Sequence, residues 1–446
     1  MTRQLADALH DAARPARTGL FARLLQRALT QLTYGTITLR DRGTERSFGS
    51  GDPVATVTVH DPAFYRRAAL GGSVGAGESY MDGEWDCDDL VALVRILAAN
   101  RHALARLDGA GRIAARAADL LAHVFRANTR QGSRRNIEAH YDLSNAFFET
   151  FLDERMMYSA AVFESPAMTL EEASRAKLER LCRKLELAPD DHLLEIGSGW
   201  GGLAVYAAGR FGCRVTTATI SPAQYEAAVD RVRAAGLEDR VEVLLTDYRD
   251  ITGSYDKLVS VEMVEAVGNE FLNGYFDRLS RLVRPGGLIA LQAITIEDRR
   301  FASAVRDVDF IKKHVFPGSF IPSVSRLVSS AARHTDTVLV NLEDIGLDYA
   351  DTLAAWRERF EGARRRILEL GFDERFLRLW RFYLCYCEGG FRERAISDVQ
   401  LLFAKPGYRR RPWRAGVNLP GGGLTVVDGD LPDDPATARR PPEVSR

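Results

Sequence analysis

The segment Leu193–Gly202 reads LLEIGSGWGG: two apolar residues and an acid run into Gly197, Gly199, Gly201 and Gly202. A buried strand, a tight glycine turn and a helix start have this form. Such a turn lets backbone N–H groups approach a small ligand at a helix N-terminus. One βα unit cannot stand alone, and the residues that follow supply its neighbours. LLEIG, RVTTATI, VEVLLTD, KLVSVEM and LIALQAITI read as strands separated by helix-like stretches. That alternation is the pattern of a parallel α/β sheet.

Gly197, Gly199 and Gly202 satisfy G-x-G-x-x-G, a spacing that does not by itself choose a cofactor. A nicotinamide fold wants an acid about 20 residues on, at the end of the second strand. There the chain reads TTATISPAQ, without an acid. Glu195 instead stands two residues before the first glycine, the usual arrangement for S-adenosylmethionine (SAM), where an acid orients the amino-acid end. Asp247, after the third strand, is placed to accept from the adenine amino group. The competing explanation is that both acids only cap helices.

The 446 residues suffice for two or three domains, and the formal net charge of −1 gives no global field for nucleic acid. Arginines cluster at Arg130, Arg134 and Arg135, at Arg364–Arg366 and at Arg409–Arg411. Solvated faces explain such runs; adsorption to anionic headgroups is the sharper reading. The five cysteines show neither metal-ligand spacing nor a disulfide framework, which suits a reducing cytoplasm. No apolar run reaches the 18 or so residues of a membrane span, so any lipid is reached from the surface. No metal is expected.

Residues 1–100 fit a small α+β module. Within it, GLFARLLQRALTQL puts Leu20, Phe21, Leu24, Leu25, Ala28 and Leu29 on one helical stripe. A helix that docks the next domain is favoured over one lying on a membrane. Residues 34–60 alternate like short antiparallel strands. Residues 61–100 look helical with an interruption at GESYMDGEWDCDD. Residues 101–130 read as a helical connector, 131–405 as the catalytic domain, and the Pro-, Gly- and Arg-rich 406–446 as a disordered tail.

Five blocks carry a resemblance: GESYMDGEW (Gly77–Trp85), NIEAHYDLSNAFFETFLDERMMYSAAVF (Asn136–Phe163), LLEIGSGWGG, VSVEMVEAVG (Val259–Gly268) and FIKKHVFPGSFIPS (Phe310–Ser323). The aromatic run near Tyr383–Phe391 adds a sixth. In this order they make the chain similar to the cyclopropane-fatty-acyl-phospholipid synthase family, SAM-dependent enzymes acting on lipid double bonds. The resemblance implies a Rossmann-like SAM-binding α/β domain behind a small N-terminal α+β domain that engages lipid. It implies a peripheral, cytoplasmic protein at the inner face of a membrane, taking unsaturated phospholipid acyl chains, and a homodimer. In the SAM pocket it implies that Tyr158 and Ser159 close over the cofactor and that Gly197 and Gly199 approach its methionine end. Thr219 and Gln224 fall on the ribose side, where the amide replaces the usual acid, and Asp247 holds the adenine.

An isolated alkene is a poor nucleophile, and a methyl sulfonium is a strong electrophile. Methyl transfer leaves a carbocation on the acyl chain, so water must be excluded, and aromatic faces can stabilise the charge. Tyr141, Phe147, Phe148, Tyr158, Phe163, Phe316 and Phe320 are suitable, although each alone reads as ordinary core. A base must then take a proton so that the ring can close, and an unprotected carboxylate there risks being alkylated. The resemblance implies a bound bicarbonate, held by Glu265, Tyr349 and the backbone of Ile294. Gln292 stands where well-studied members carry histidine, and can donate but not titrate near neutral pH. Ala160 stands where they carry a cysteine that contributes through its backbone amide. Proton loss elsewhere would leave a methylene-branched chain instead of a cyclopropane. His140 and His314 read as structural, and Glu262 is assignable neither to the strand end nor to the turn after it. A small-molecule methyltransferase leaves the apolar blocks without a purpose; a non-catalytic lipid-binding protein is the other alternative.

Overall fold

The computed structural model describes residues 19–101 and 144–409. All but the first residue of the expected connector, His140, Tyr141, the arginines at 130, 134, 135, 410 and 411, and all but the start of the tail fall outside the described residues.

The smaller of two sheets has the order β2-β1-β3-β4, from β1 (Gly35–Asp41), β2 (Thr44–Ser50), β3 (Val54–Val59) and β4 (Trp85–Cys87). β1 and β2 form a hairpin, as the alternation predicts. β3, however, runs parallel to β1. The reason is local. β2 brings the chain back to the start of β1, where Ser50 faces Gly35. Residues 51–53 then step across to the other edge, where Val54 faces Thr36. The helix Leu20–Leu29 forms where expected, but it buries only Ala22 and Leu29 outright. The interruption expected after residue 77 is shorter than its sequence suggests: GESYM continues the helix Ala63–Met81, which bends at Gly72, where φ is 54°. Asp89 starts the next helix, Leu90–Ala99, by accepting from the Ala92 N–H.

The larger sheet has the order β10-β11-β9-β8-β5-β6-β7. Its strands are β5 (His192–Ile196), β6 (Arg214–Thr219), β7 (Val241–Leu245), β8 (Tyr255–Val261), β9 (Val283–Ile296), β10 (Val338–Asp344) and β11 (Ile396–Ala404). β5 to β9 pair in parallel. The five strands legible in the sequence are these five. β11 inserts antiparallel between β9 and β10. The order reverses between β5 and β8, because the chain winds outward through β6 and β7 and returns to the other side of β5. Ligands of open α/β sheets sit at such a reversal, beyond the carboxyl ends of the strands, and the glycine turn lies there.

The small sheet does not keep a core of its own. Ile37, Leu39, Val57, Phe64, Leu93 and Ile96 belong to one apolar cluster with Phe147, Phe151, Trp356 and Trp380. The helices Gly346–Gly362 and Glu374–Arg392 carry the last two of these. The N-terminal module and the end of the catalytic region are therefore packed as one body, across the boundary drawn near residue 100.

Candidate active site

β5 ends at Ile196 and the chain turns at Gly197 and Gly199, with φ of 95° and 49°, values that side chains resist. The N–H groups of Gly197 and Ser198 both donate to Ala218 O at the end of β6, which pins the turn to the sheet. Gly202 opens the helix Gly202–Phe211. A Cβ there would stand 2.7 Å from both Arg155 O and the Met157 sulfur. The helix start thus packs directly on the segment that carries Tyr158, Ser159 and Ala160.

A cavity of about 1230 Å³ begins at this turn. Tyr158, Ser159, Glu195, Gly197, Gly199, Thr219, Gln224 and Asp247, all assigned to the cofactor, line it. Glu195 is buried and accepts from the Thr217 hydroxyl at 2.6 Å. Burial pushes its carboxyl up to about 8, with the Lys177 ammonium pulling the other way. A cationic amino group arriving from a ligand would restore its charge. The Thr219 hydroxyl donates to Gln224 Oε1 at 2.9 Å, fixing that amide beside the cavity. Both Asp247 oxygens accept from the Arg249 guanidinium, at 2.8 and 2.7 Å. An adenine amino group would therefore share this carboxylate with Arg249.

The aromatic candidates separate into two groups. Tyr158, Phe316 and Phe320 line the cavity, with Tyr383 and Phe382. The Tyr158 hydroxyl is 3.0 Å from that of Tyr383. Phe147 and Phe148 are fully buried core, packed edge-on or tilted against Phe151, Phe376 and Trp380. Phe163 packs against the same core without lining the cavity. His314 pairs with Glu78 at 2.9 Å, away from the glycine turn.

The five residues assigned to the deprotonation site come together from four segments, but around a carboxylate the sequence left unassigned. The Ala160 N–H donates to Glu262 Oε1 at 2.8 Å, and so does Gln292 Nε2, also at 2.8 Å. The Tyr349 hydroxyl donates to Glu262 Oε2 at 2.8 Å. Glu265 stands beside this group. Its Oε1 accepts from the Ile294 N–H at 2.6 Å. Its Oε2 is buried and has no hydrogen-bond partner among the described residues. Burial, reinforced by the Glu262 charge, pushes Glu265 up to about 8. Burial also raises Glu262 itself, against the three donors and the Lys177 ammonium. The expected bicarbonate does not fit this arrangement, because a side-chain carboxylate already takes the three donors meant for it. Only the Ile294 N–H remains near its assigned place, and it is engaged by Glu265.

One further strand, β11, and the helix Leu170–Lys184 complete the cluster. β11 pairs Gln400 with Gln292 and Asp398 with Ile294. Gln400 Nε2 donates to Gln292 Oε1 at 3.0 Å, which turns the Gln292 NH₂ towards Glu262 and towards Asp398 Oδ2. Asp398 is fully buried, and that burial, next to Glu262, raises it well above the carboxylate range. Lys177, equally buried, donates to the Ser159 hydroxyl at 2.8 Å. Its own value is lowered by burial, with Glu262, Asp153, Asp398 and Glu195 opposing. Lys177, Asp398 and Gln400 gave no sequence signal, since all three lie outside the blocks and strands that the sequence singles out. Among the described residues no cluster of metal ligands occurs, and no helix is long and apolar enough to cross a membrane.

At its far end the cavity leaves the large sheet and runs between the helices of the N-terminal module, past Phe21, Leu25, Ile37, Val57 and Leu93. Leu24 and Leu97 line it and are also 50% and 37% exposed. The chamber thus reaches the surface between apolar side chains.

The sequence model of the family described as mycolic acid cyclopropane synthetase matches residues 128–401. Tuberculostearic acid methyltransferase UfaA1 of Mycobacterium tuberculosis is 39% identical, over 88% of this chain and 92% of its own. The cyclopropane-fatty-acyl-phospholipid synthase of Escherichia coli is 37% identical, over 80% of this chain and 89% of its own. Among solved structures, mycolic acid cyclopropane synthase CmaA1 complexed with SAH and CTAB matches with a TM-score of 0.57 and 28% identity. It covers 61% of this chain and 98% of its own.

Proposed function

The chain belongs to the mycolic acid cyclopropane synthetase family, SAM-dependent enzymes that methylate lipid acyl chains, and on that premise we propose that its acceptor is the double bond of an unsaturated phospholipid acyl chain. One observation carries this reading. A single chamber joins the glycine turn, the cluster around Glu262 and an apolar passage to the surface. At about 1230 Å³ it exceeds the roughly 300–1,000 Å³ of a pocket for one small ligand, so donor and acyl chain can occupy it together.

SAM supplies the electrophilic methyl group. Glu195, Thr219, Gln224 and Asp247 bind and orient it, and the aromatic lining keeps water from the cation that follows transfer. The π electrons form the new C–C bond, and the S–CH₃ electron pair stays on sulfur. Loss of a proton from the added methyl closes a cyclopropane. If a hydride first moves between the two former alkene carbons, the same proton loss leaves a methylene branch; proton loss from a neighbouring carbon, the route expected from the sequence, would leave an internal double bond instead. Ring closure agrees with the family and with the E. coli relative. The branch is the second reading, favoured by the M. tuberculosis relative, which is named a methyltransferase and not a cyclopropane synthase. It is also favoured by the altered groups Ala160 and Gln292.

Leu24 and Leu97 are exposed where the chamber opens, and the exposed Leu20, with Arg23 and Arg27, shares the helix of Leu24. They support entry of the acyl chain from a membrane surface, with the protein bound reversibly. Labelled SAM and vesicles of oleoyl phospholipid test the whole reading. Labelled fatty acyl chains are expected; label confined to water-soluble products refutes it. Mass spectrometry and NMR of the released acid separate ring from methylene.

A further inference from the structure

We propose that Glu262 is the base of the reaction, a carboxylate built into the chain in place of the bound anion that the family resemblance implies. The inference rests on the methyl-transfer reading above and concerns only what removes the proton.

Four independent features of Glu262 point this way. It lines the chamber beside the glycine turn. Its two oxygens take three donors from three distant segments: the Ala160 N–H, Gln292 Nε2 and the Tyr349 hydroxyl. Those are the groups a small planar anion would otherwise collect. The Gln292 amide cannot turn its oxygen inward, because Gln400 Nε2 holds that oxygen, and Lys184 Nζ in turn holds Gln400 Oε1 at 2.8 Å. The donor set is thus oriented for a negative group. Finally, the Glu262 backbone has φ of 48°, a left-handed conformation in which a side chain costs about 1 kcal/mol or more and glycine costs nothing. The chain bears this strain at the one position that puts a carboxyl group among the three donors.

A carboxylate facing a methyl sulfonium could be methylated itself. Here its freedom is limited. Oε1 accepts two hydrogen bonds, and the three donors sit on the 154–163 loop, on β9 and on the helix Gly346–Gly362, so the group cannot swing to follow the methyl. Oε2 takes only the Tyr349 bond of these three and keeps a lone pair for a proton, while Asp398, its own carboxyl raised by burial, lies within hydrogen-bond reach of the Glu262 carboxyl. In the step, Oε2 takes H⁺ from the added methyl and the C–H electron pair becomes the last ring bond, or the methylene double bond. The proton leaves Glu262 to solvent after the product departs, so one H⁺ is released per turnover. Glu265, its carboxyl pushed up to about 8 and one oxygen unpartnered, stands beside Glu262 as a neutral acid and adds no second negative charge.

Three measurements decide the matter, all with the full chain and oleoyl phospholipid vesicles. In buffer stripped of carbon dioxide, the wild-type protein should methylate lipid at an undiminished rate, and bicarbonate should add nothing. Glu262→Gln should lose about 100-fold or more in turnover, the contribution of a general base, with SAM affinity by calorimetry within about threefold of wild type. Glu262→Gly relieves the strained backbone and frees the three donors. It should be inactive in stripped buffer and regain activity at least about tenfold with millimolar bicarbonate. A wild-type rate that collapses without bicarbonate and returns with it would overturn the proposal. So would either variant turning over within about threefold of wild type in stripped buffer. Absence of labelled lipid from wild type under every condition would refute the methyl-transfer reading instead.

Discussion

Replacing Tyr349 with phenylalanine removes one oxygen and little else. The ring lies 4.5 Å from that of Phe391 and edge-on to Trp356 at 6.0 Å, and phenylalanine keeps both contacts. What disappears is the 2.8 Å bond from the hydroxyl to Glu262 Oε2. A hydrogen bond to a charged group contributes about 1.5–3 kcal/mol. At about 1.4 kcal/mol per factor of ten, turnover should fall by about 10- to 150-fold near neutral pH. The same energy moves a pKa by about one to two units. The direction follows from which form the hydroxyl serves. It donates to the ionised carboxylate, so its loss raises the Glu262 pKa, and the acid limb of the rate profile moves to higher pH. Lys177, Asp398 and Glu265 also face Glu262, but both proteins share them, so the difference between the two profiles isolates Tyr349. Label transfer from SAM to oleoyl phospholipid, followed from about pH 5 to about pH 9, reads both effects. SAM affinity should stay unchanged. Equal turnover with an unmoved acid limb would show that Oε2 is not the oxygen at work.

The acid near the glycine turn has a consequence for stability. Glu195 ionises near 4.5 when unfolded and near 8 when folded, so the native state holds a proton that the unfolded chain has lost. Stability should therefore fall as pH rises between those values, by up to about 5 kcal/mol from this group. Glu265 adds to the same slope. Thermal melts of the ligand-free protein should show Tm dropping across that range, less so in Glu195→Gln; a Tm that climbs would contradict the burial argument. Gly202→Ala places a methyl 2.7 Å from Arg155 O. It should cost about 1–3 kcal/mol in urea unfolding and weaken SAM binding, because the Tyr158–Ala160 segment must shift; unchanged values in both would refute that packing. Leu24→Asp puts a charge at the surface end of the chamber. It should reduce co-sedimentation with anionic vesicles while leaving SAM affinity intact, and equal sedimentation would remove this helix from the membrane contact.

The sequence by itself determined the strand–turn–helix at Leu193–Phe211, the five parallel strands and a set of residues that line the chamber by the glycine turn. These are local matters. Apolar runs of strand length, glycines where φ must be positive and an acid at a fixed offset all lie within a few dozen residues. It also named Ala160, Glu265, Gln292, Ile294 and Tyr349 as one site, through block resemblance and not through any spacing between them. Tertiary structure decided what that site contains. Glu262 lies three residues from Glu265 in a segment whose apolar pattern says nothing about which acid takes the three donors. The choice follows from a left-handed backbone at its own position and from donors about 30 to 100 residues away. β11 was invisible for a related reason. Its register against β9 places Asp398 and Gln400 beside Ile294 and Gln292, and an antiparallel strand threaded back between two others is a property of the closed sheet. The merging of the small sheet with the helices that follow β10 is likewise a property of the shared core, since Ile37 and Trp380 join one apolar cluster only when the chain is folded.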